Sequence, residues 1–157
     1  ARERARVSTG IQPIYEPRTL PSVLRAIRAG KAVGFMMDQY AGPPIGIPVK
    51  FFGVEVGTLA AVGTIINRTG TTVVPAFTRR DAHGVIHVRL EPELEVGNYL
   101  HSAEQGDEGQ DDSPKADVQR TTALLAQKVE SWVRENPEQW LWTHRRFKNV
   151  VWPQDLA

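Results

Sequence analysis

Cysteine is absent from the 157 residues. That removes disulfides, thiolate nucleophiles and cysteine-based metal sites, and it fits a reducing compartment. Long apolar runs are missing too: nothing approaches the roughly 18 to 20 consecutive apolar residues that cross a bilayer, and nothing resembles a signal peptide. Any membrane anchor is therefore expected ahead of Ala1. Net charge is nearly nil, with 19 Lys+Arg against 18 Asp+Glu, so the summed charge gives no reason to expect nucleic acid as a partner. Self-sufficient catalytic patterns are also lacking. None of His83, His87, His101 and His144 has a carboxylate five positions on or belongs to a His-Glu-x-x-His pattern. No Gly-x-Ser-x-Gly elbow or phosphate-binding glycine loop occurs.

What is present is unevenly placed. Between Glu91 and Asp117 stand nine acidic residues and one base, Lys115, while Arg2 to Arg28 and His144 to Lys148 are basic. Two basic ends around an acidic insert suit an anionic partner. The chain opens on Ala1, and Ala-Arg-Glu-Arg-Ala-Arg reads like the middle of a helix with no cap ahead of it. A piece of a longer domain is the expectation.

The patterning predicts alternating elements. A helix is expected from Thr19, with Pro21 in its first turn, Val23, Leu24 and Ile27 as an apolar stripe and Gly30 as its stop. Ala32 to Met37 is a continuous apolar run of buried-strand length, ending abruptly in Asp38-Gln39-Tyr40. Ala41 to Lys50, with two Gly and three Pro, reads as a loop closed by Phe51-Phe52-Gly53. Thr58 is a plausible N-cap for a helix striped by Leu59, Val62, Ile65 and Ile66 and stopped by Gly70. Thr72 to Phe77 reads as a strand whose Pro75 implies an edge, a bulge or a strand end. Across a turn at Arg79 to Gly84, Ile86, Val88 and Leu90 alternate with His87 and Arg89 as a half-exposed strand. Asn98 to Ala116 is a polar, acidic surface insert. A last helix, from about Val118 to Glu135, carries Val118, Thr121, Leu125, Val129, Trp132 and Val133 on one side and ends at Asn136-Pro137. The succession predicts an α/β layer architecture with crossover connections.

Two segments hold candidate chemistry. The first is Asp38-Gln39-Tyr40-Ala41-Gly42-Pro43 at the carboxyl end of the expected strand, where open α/β sheets bind ligands. A carboxylate beside an amide is suited to fixing substrate hydroxyls, and glycine permits close backbone approach. The competing reading makes Asp38 a turn cap and the Phe pair core filler. The second is Pro137 to Lys148, where arginine forks suit phosphate or carboxylate and tryptophans suit a lipid interface or acyl groove, with Trp152 extending the cluster. A packed core strand with a solvated basic tail is the commoner outcome for such a composition.

Together the two segments resemble the lipid A biosynthesis acyltransferases of the lauroyl/myristoyl type, a branch of the lysophospholipid acyltransferase superfamily. The resemblance rests on Asp38, Gln39, Gly42, Pro43, Phe51, Phe52, Gly53 and Thr58, and most specifically on Pro-Glu-Gln-Trp-x-Trp-x-His-Arg-Arg-Phe-Lys at Pro137 to Lys148. Arg68-Thr69-Gly70, Val74-Pro75 and Arg79-Arg80 follow in order, and the acidic insert matches least. Ala61 stands where many relatives have glycine, with Gly63 two residues on, and Tyr40 is variable.

The resemblance implies an α/β fold of the glycerolipid-acyltransferase kind: a layered mixed sheet flanked by helices, incomplete at the N-terminus, with residues 1–157 as the C-terminal part of one acyltransferase domain. The family's His-x-x-x-x-Glu pair and its Tyr-Arg-x-Asn segment would fall before Ala1, so no catalytic residue is expected in this chain, and the chain alone is expected to be inactive. Asp38, Gln39, Tyr40, Gly42, Thr58, His144, Arg145 and Arg146 are the implied acceptor-side residues, the last three holding phosphate or bracing the strand end. The implied reaction moves a fatty acyl group from acyl carrier protein, or from acyl-CoA, to a hydroxyl of a lipid A precursor. No metal or further cofactor is implied. The implied setting is the cytoplasmic face of the inner membrane of a Gram-negative bacterium, with acyl carrier protein, lipid A precursor and membrane surface as partners. Two alternatives stay open: a non-catalytic peripheral module binding anionic lipid, and an acyltransferase for another glycolipid such as mannosylated phosphatidylinositol.

Overall fold

The computed structural model describes residues 6–14, 19–94, 96 and 114–152. They divide into two compact units, 1–35 and 36–157. In the first, α1 spans Thr19–Arg28 and buries Val23. Pro21 sits in its first turn, where a missing N–H costs nothing. Gly30 (φ +70°) ends it: the Gly30 N–H donates to the Ile27 carbonyl and the Lys31 N–H to the Ala26 carbonyl, the paired bonds of a left-handed helix cap.

The expected buried strand at Ala32 to Met37 does not form. These residues join no ladder with any described strand, and Met36 is 71% exposed. A strand exists only by pairing its backbone, and both described sheets are two-stranded hairpins closed on themselves. The crossover-linked layered sheet is likewise not built among the described residues. The chain is mixed α/β, with small antiparallel sheets and helices.

In the second unit β1 (Gly46–Phe51) pairs antiparallel with β2 (Val54–Leu59), from Gly46 opposite Leu59 to Phe51 opposite Val54. Half of the expected loop at Ala41 to Lys50 is therefore strand. Pro48 is tolerated because its strand lies in a two-stranded ribbon, whose outer edge needs no N–H. Phe52 (φ +51°) and Gly53 (φ +81°) make the tight turn, the positive φ at both positions matching the twist of the flanking strands. Phe52 tolerates this backbone while its N–H donates to Glu130 Oε2 (2.7 Å) and the Arg134 guanidinium covers its ring at 4.5 Å.

Burial alternates along β2, so that Val54, Val56 and Thr58 all face inward. Thr58 is thus a strand residue and not the predicted helix cap. The next helix, α2 (Ala61–Thr69), begins after Ala60 with no side-chain cap and ends at Gly70 in the left-handed conformation. It buries Val62, Ile65 and Ile66. α3 (Pro114–Glu135) starts earlier than the apolar stripe suggested and includes the last residues of the expected insert. Residues 98–113 of that insert lie outside the described residues. Gly63 lets α2 and α3 approach closely, since a Cβ there would lie 2.7 Å from Thr122 Oγ1 and 3.0 Å from the Val118 carbonyl. The Thr121 hydroxyl donates to Asn67 Oδ1 (3.0 Å) across the same contact.

The core joins Phe51, Val54 and Val56 to Val133 of α3 and to Trp140, with Phe52, Val129, Trp132, Phe147 and Val150 packed around them. A second hairpin, β3 (Ala76–Arg80) with β4 (Ile86–Leu90), has Arg80 opposite Ile86 and Ala76 opposite Leu90. Pro75 falls just before it, as a strand end. β4 is exposed at all five positions, so the expected half-buried alternation is not seen, and the hairpin meets α3 through the face opposite its apolar residues. Phe77 stacks on Trp132 at 5.5 Å and Arg89 reaches Glu135, whereas Ile86, Val88 and Leu90 are 57 to 69% exposed. The large flat rings of Phe77 and Trp132 decide which face meets α3, and alternation alone does not reveal that partner.

Candidate functional site

After α3, a 3-10 turn at Pro137–Gln139 redirects the chain. Gln139 fastens it to β3 as a short strand would: the Arg80 N–H donates to Gln139 Oε1 (2.9 Å), and Gln139 Nε2 donates to the Arg80 carbonyl (3.2 Å). Trp140 is buried against Phe51, ring centroids 6.0 Å apart, and meets the edge of the His144 ring at 5.2 Å. Trp142 packs near Phe52, and its Nε1 donates to the Pro137 carbonyl (2.8 Å). Successive backbone turns then carry the tail past the end of the Asp38 segment.

Here the two candidate segments meet. His144 Nε2 lies 2.7 Å from the Asp38 carbonyl oxygen and its Nδ1 2.9 Å from the Leu141 carbonyl oxygen. With both ring nitrogens held against backbone carbonyls, neither is offered to a substrate hydroxyl, and His144 is not placed to act as a general base. Arg146 is 1% exposed. Its Nη1 donates to the carbonyls of Gln39 (2.8 Å) and Gly57 (3.0 Å), its Nη2 donates to Thr58 Oγ1 (2.8 Å), and its guanidinium carbon sits 4.8 Å from the Phe51 ring centre. Burial pulls this guanidinium down to about 10, and the charge of the nearby Asp38 carboxylate works in the opposite direction. The group therefore stays a cation at neutral pH.

Gly57 is needed where it stands. Its carbonyl accepts from both Arg146 Nη1 (3.0 Å) and the Ala41 N–H (3.1 Å), and a Cβ on it would lie 2.4 Å from the Ala41 carbonyl oxygen. Tyr40 turns back over the loop: its oxygen accepts from Asn149 Nδ2 (3.2 Å), Lys148 Nζ sits 5.6 Å from its ring centre, and a Cβ on Gly42 would fall 2.7 Å from its hydroxyl. Asp38 is half-buried, and its Oδ1 is enclosed without a hydrogen-bond partner among the described residues. Arg145 alternates outward between the two inward side chains and is exposed.

The structure thus brings Asp38, Gln39, Tyr40, Gly42, Thr58, His144 and Arg146 into one cluster and leaves Arg145 on its surface. Sequence reasoning missed Gly57 and Phe51 as partners of the arginine, because nothing in a one-dimensional pattern marks a carbonyl as an acceptor. It also missed the pairing of His87 Nε2 with Asp81 Oδ2 at 2.8 Å. Asp81 sits at the head of the β3–β4 turn, and its other oxygen accepts the N–H groups of His83 and Val85. The hydrogen bond from His87 holds the Asp81 carboxyl below its usual range. Both side chains are fixed to their own turn, which is the work of a turn cap. A recess of about 660 Å³ beside α3, lined by Lys50, Glu55, Gln119 and Arg134 among others, shares no residue with the Asp38 cluster. Among the described residues, no three His, Asp or Glu side chains are grouped to hold a metal ion, and no helix is long and apolar enough to cross a membrane.

The sequence model of the family described as bacterial lipid A biosynthesis acyltransferase matches residues 3–149. The chain belongs to that family. Among curated relatives, the lipid A biosynthesis lauroyltransferase of Escherichia coli (strain K12) is 28% identical over 138 residues, covering 86% of this chain and 40% of the relative. The chain therefore spans about 40% of the length of the curated relative it matches. For this acyltransferase-family chain the matched region takes in the Asp38 turn and the aromatic and arginine-bearing tail up to Asn149.

Proposed function

We propose that these residues form the acceptor side of an enzyme that moves a fatty acyl group from acyl carrier protein, or from acyl-CoA, onto a hydroxyl of a lipid A precursor at the cytoplasmic face of the bacterial inner membrane. The observation that carries the reading is the return of the His144–Arg146 tail onto the Asp38 turn, in a chain that belongs to a family of lipid A acyltransferases. Family membership supplies the reaction class, and the cluster supplies a carboxylate beside which a polar headgroup can be oriented.

The chemistry divides between this chain and residues it does not contain. No His-x-x-x-x-Glu pair occurs in the 157 residues. The base that takes the proton from the acceptor hydroxyl is assigned to such a pair elsewhere in the protein. The hydroxyl oxygen then attacks the thioester carbonyl, the C–S bond breaks as the ester forms, and the leaving thiolate takes the proton from the base to depart as the carrier's thiol. Asp38 fixes the acceptor by accepting from one of its hydroxyls, so part of its worth is orientation of the reacting group. A phosphate on the precursor has Arg145 and Lys148 to meet, both exposed beside the turn, the second against Tyr40. Arg146 is enclosed, its Nη1 and Nη2 end on protein acceptors, and it falls to the bracing role.

The test is Asp38→Ala in the full-length protein that carries this chain. Acyl transfer to a lipid A precursor is expected to fall at least about tenfold, worth roughly 1.4 kcal/mol of transition-state stabilisation. Parental turnover by the folded variant would remove Asp38 from the acceptor site.

A further inference from the structure

The neighbouring residues His144, Arg145 and Arg146 do not share one task. Arg145 points out, while His144 and Arg146 point in and end on backbone carbonyls of the Asp38 turn. A buried cation is expensive unless its donors are matched. Arg146 matches Nη1 and Nη2 with acceptors from two places, Gln39 in the turn and Gly57 with Thr58 on β2, which the backbone otherwise joins through the Ala41 N–H to the Gly57 carbonyl. Its Nε is enclosed and unpaired, and the enclosed Asp38 Oδ1 is unpaired as well. Such a group has no surface for a ligand. What it can do is fix where its acceptors stand.

We infer that Arg146 is a positioning residue: its guanidinium, with His144 beside it, locks the Asp38–Gln39 backbone onto β2 and thereby sets the direction of the Asp38 carboxylate toward the acceptor. The inference rests on the acceptor-side reading above. A planar fork is required, because only a guanidinium reaches the Gln39 and Gly57 carbonyls and Thr58 Oγ1 from one centre while lying against Phe51. Lysine keeps the charge but presents a single ammonium, which cannot span the same acceptors in one plane. The effect on catalysis passes through Asp38, so losses at the two positions are not independent.

The experiment is a double-mutant cycle in the full-length protein with Arg146→Lys, Asp38→Asn and both together. It reads kcat and the KM for a lipid A precursor, beside urea midpoints that establish folding. Arg146→Lys is expected to lower kcat at least about tenfold with KM changed less than about threefold, and the double variant is expected to be no slower than Asp38→Asn alone. If Arg146→Lys does not fold, Thr58→Val, which deletes one acceptor without changing the side chain's shape, takes its place. A kcat loss of about threefold or more that vanishes in the Asp38→Asn background is then expected. An impaired Asp38→Asn protein together with a parental Arg146→Lys or Thr58→Val protein overturns the positioning role alone. So does a loss that multiplies in full with that of Asp38→Asn, the mark of a merely structural role. An Asp38→Asn protein at the parental rate sinks the acceptor-side reading and this inference with it.

Discussion

Replacing Thr58 separates hydrogen bonding from packing at the centre of the cluster, because two substitutions there are expected to rank against the hydrophobic order. Thr58 is fully buried on the inward face of β2, and its oxygen accepts from Arg146 Nη2 at 2.8 Å. Its own proton reaches the Val56 carbonyl at a weaker 3.3 Å. Valine has the shape of threonine and is more apolar, so an account based on core packing makes Thr58→Val neutral or stabilising. The bond it deletes is charge-assisted, and the donor left behind cannot reach water; the expected cost is about 1.5–3 kcal/mol. Serine keeps the oxygen and loses one buried methyl, for a cost of roughly 1 kcal/mol. Thr58→Ser should therefore be the more stable of the two. Urea unfolding of the purified protein, with the slope m unchanged between variants, measures the difference. Heating should show it as well, at about 2–4 °C in Tm per kcal/mol for a chain of this size or somewhat larger. A Thr58→Val protein as stable as Thr58→Ser, or more so, would refute the view that the Arg146 fork depends on this oxygen.

Gly63→Ala sets two effects against each other: alanine favours a helix over glycine by about 1 kcal/mol, while forcing a Cβ into a filled contact costs about 1–3 kcal/mol. With Thr122 Oγ1 at 2.7 Å and the Val118 carbonyl at 3.0 Å, the clash is expected to win, and Thr122→Ala in the same protein should recover part of the loss. A raised urea midpoint for Gly63→Ala alone would show that α2 and α3 do not approach as described. The β3–β4 turn should loosen in acid. Because Asp81 is held below the usual carboxylate range, its contribution is fully present above that range and is lost as pH falls through the lower folded value. Amide shifts of His83 and Val85 followed by NMR should move together in that window and stay flat in Asp81→Asn; identical titrations in the two proteins would dismiss the cap.

The local chemistry of the chain was legible where the physics is local. Gly30 and Gly70 ended helices because only they adopt a left-handed backbone without strain. The α3 stripe read correctly because a helix repeats its buried face every turn, and Val133 and Leu125 are buried as its period requires. The apolar run at Ala32 to Met37 was misread because a continuous hydrophobic stretch says that a strand is affordable but not that a partner strand lies beside it. Thr58 was misread for a related reason. A threonine before an apolar stripe has the composition of a cap, and only the ladder with Ile47 shows that it is already paired in a sheet.

By itself the sequence determined the family, through the ordered side chains from Asp38 to Thr58 and from Pro137 to Lys148, and it marked both segments as the place to look. Only the tertiary structure decided that His144 and Arg146 face inward and Arg145 outward, and that the arginine's acceptors are carbonyls of Gln39 and Gly57. The reason is that a carbonyl is the same group at every residue. Which of them a buried guanidinium can reach depends on how segments 88 to 107 positions apart in the chain are folded together, and residue identity carries no record of that distance.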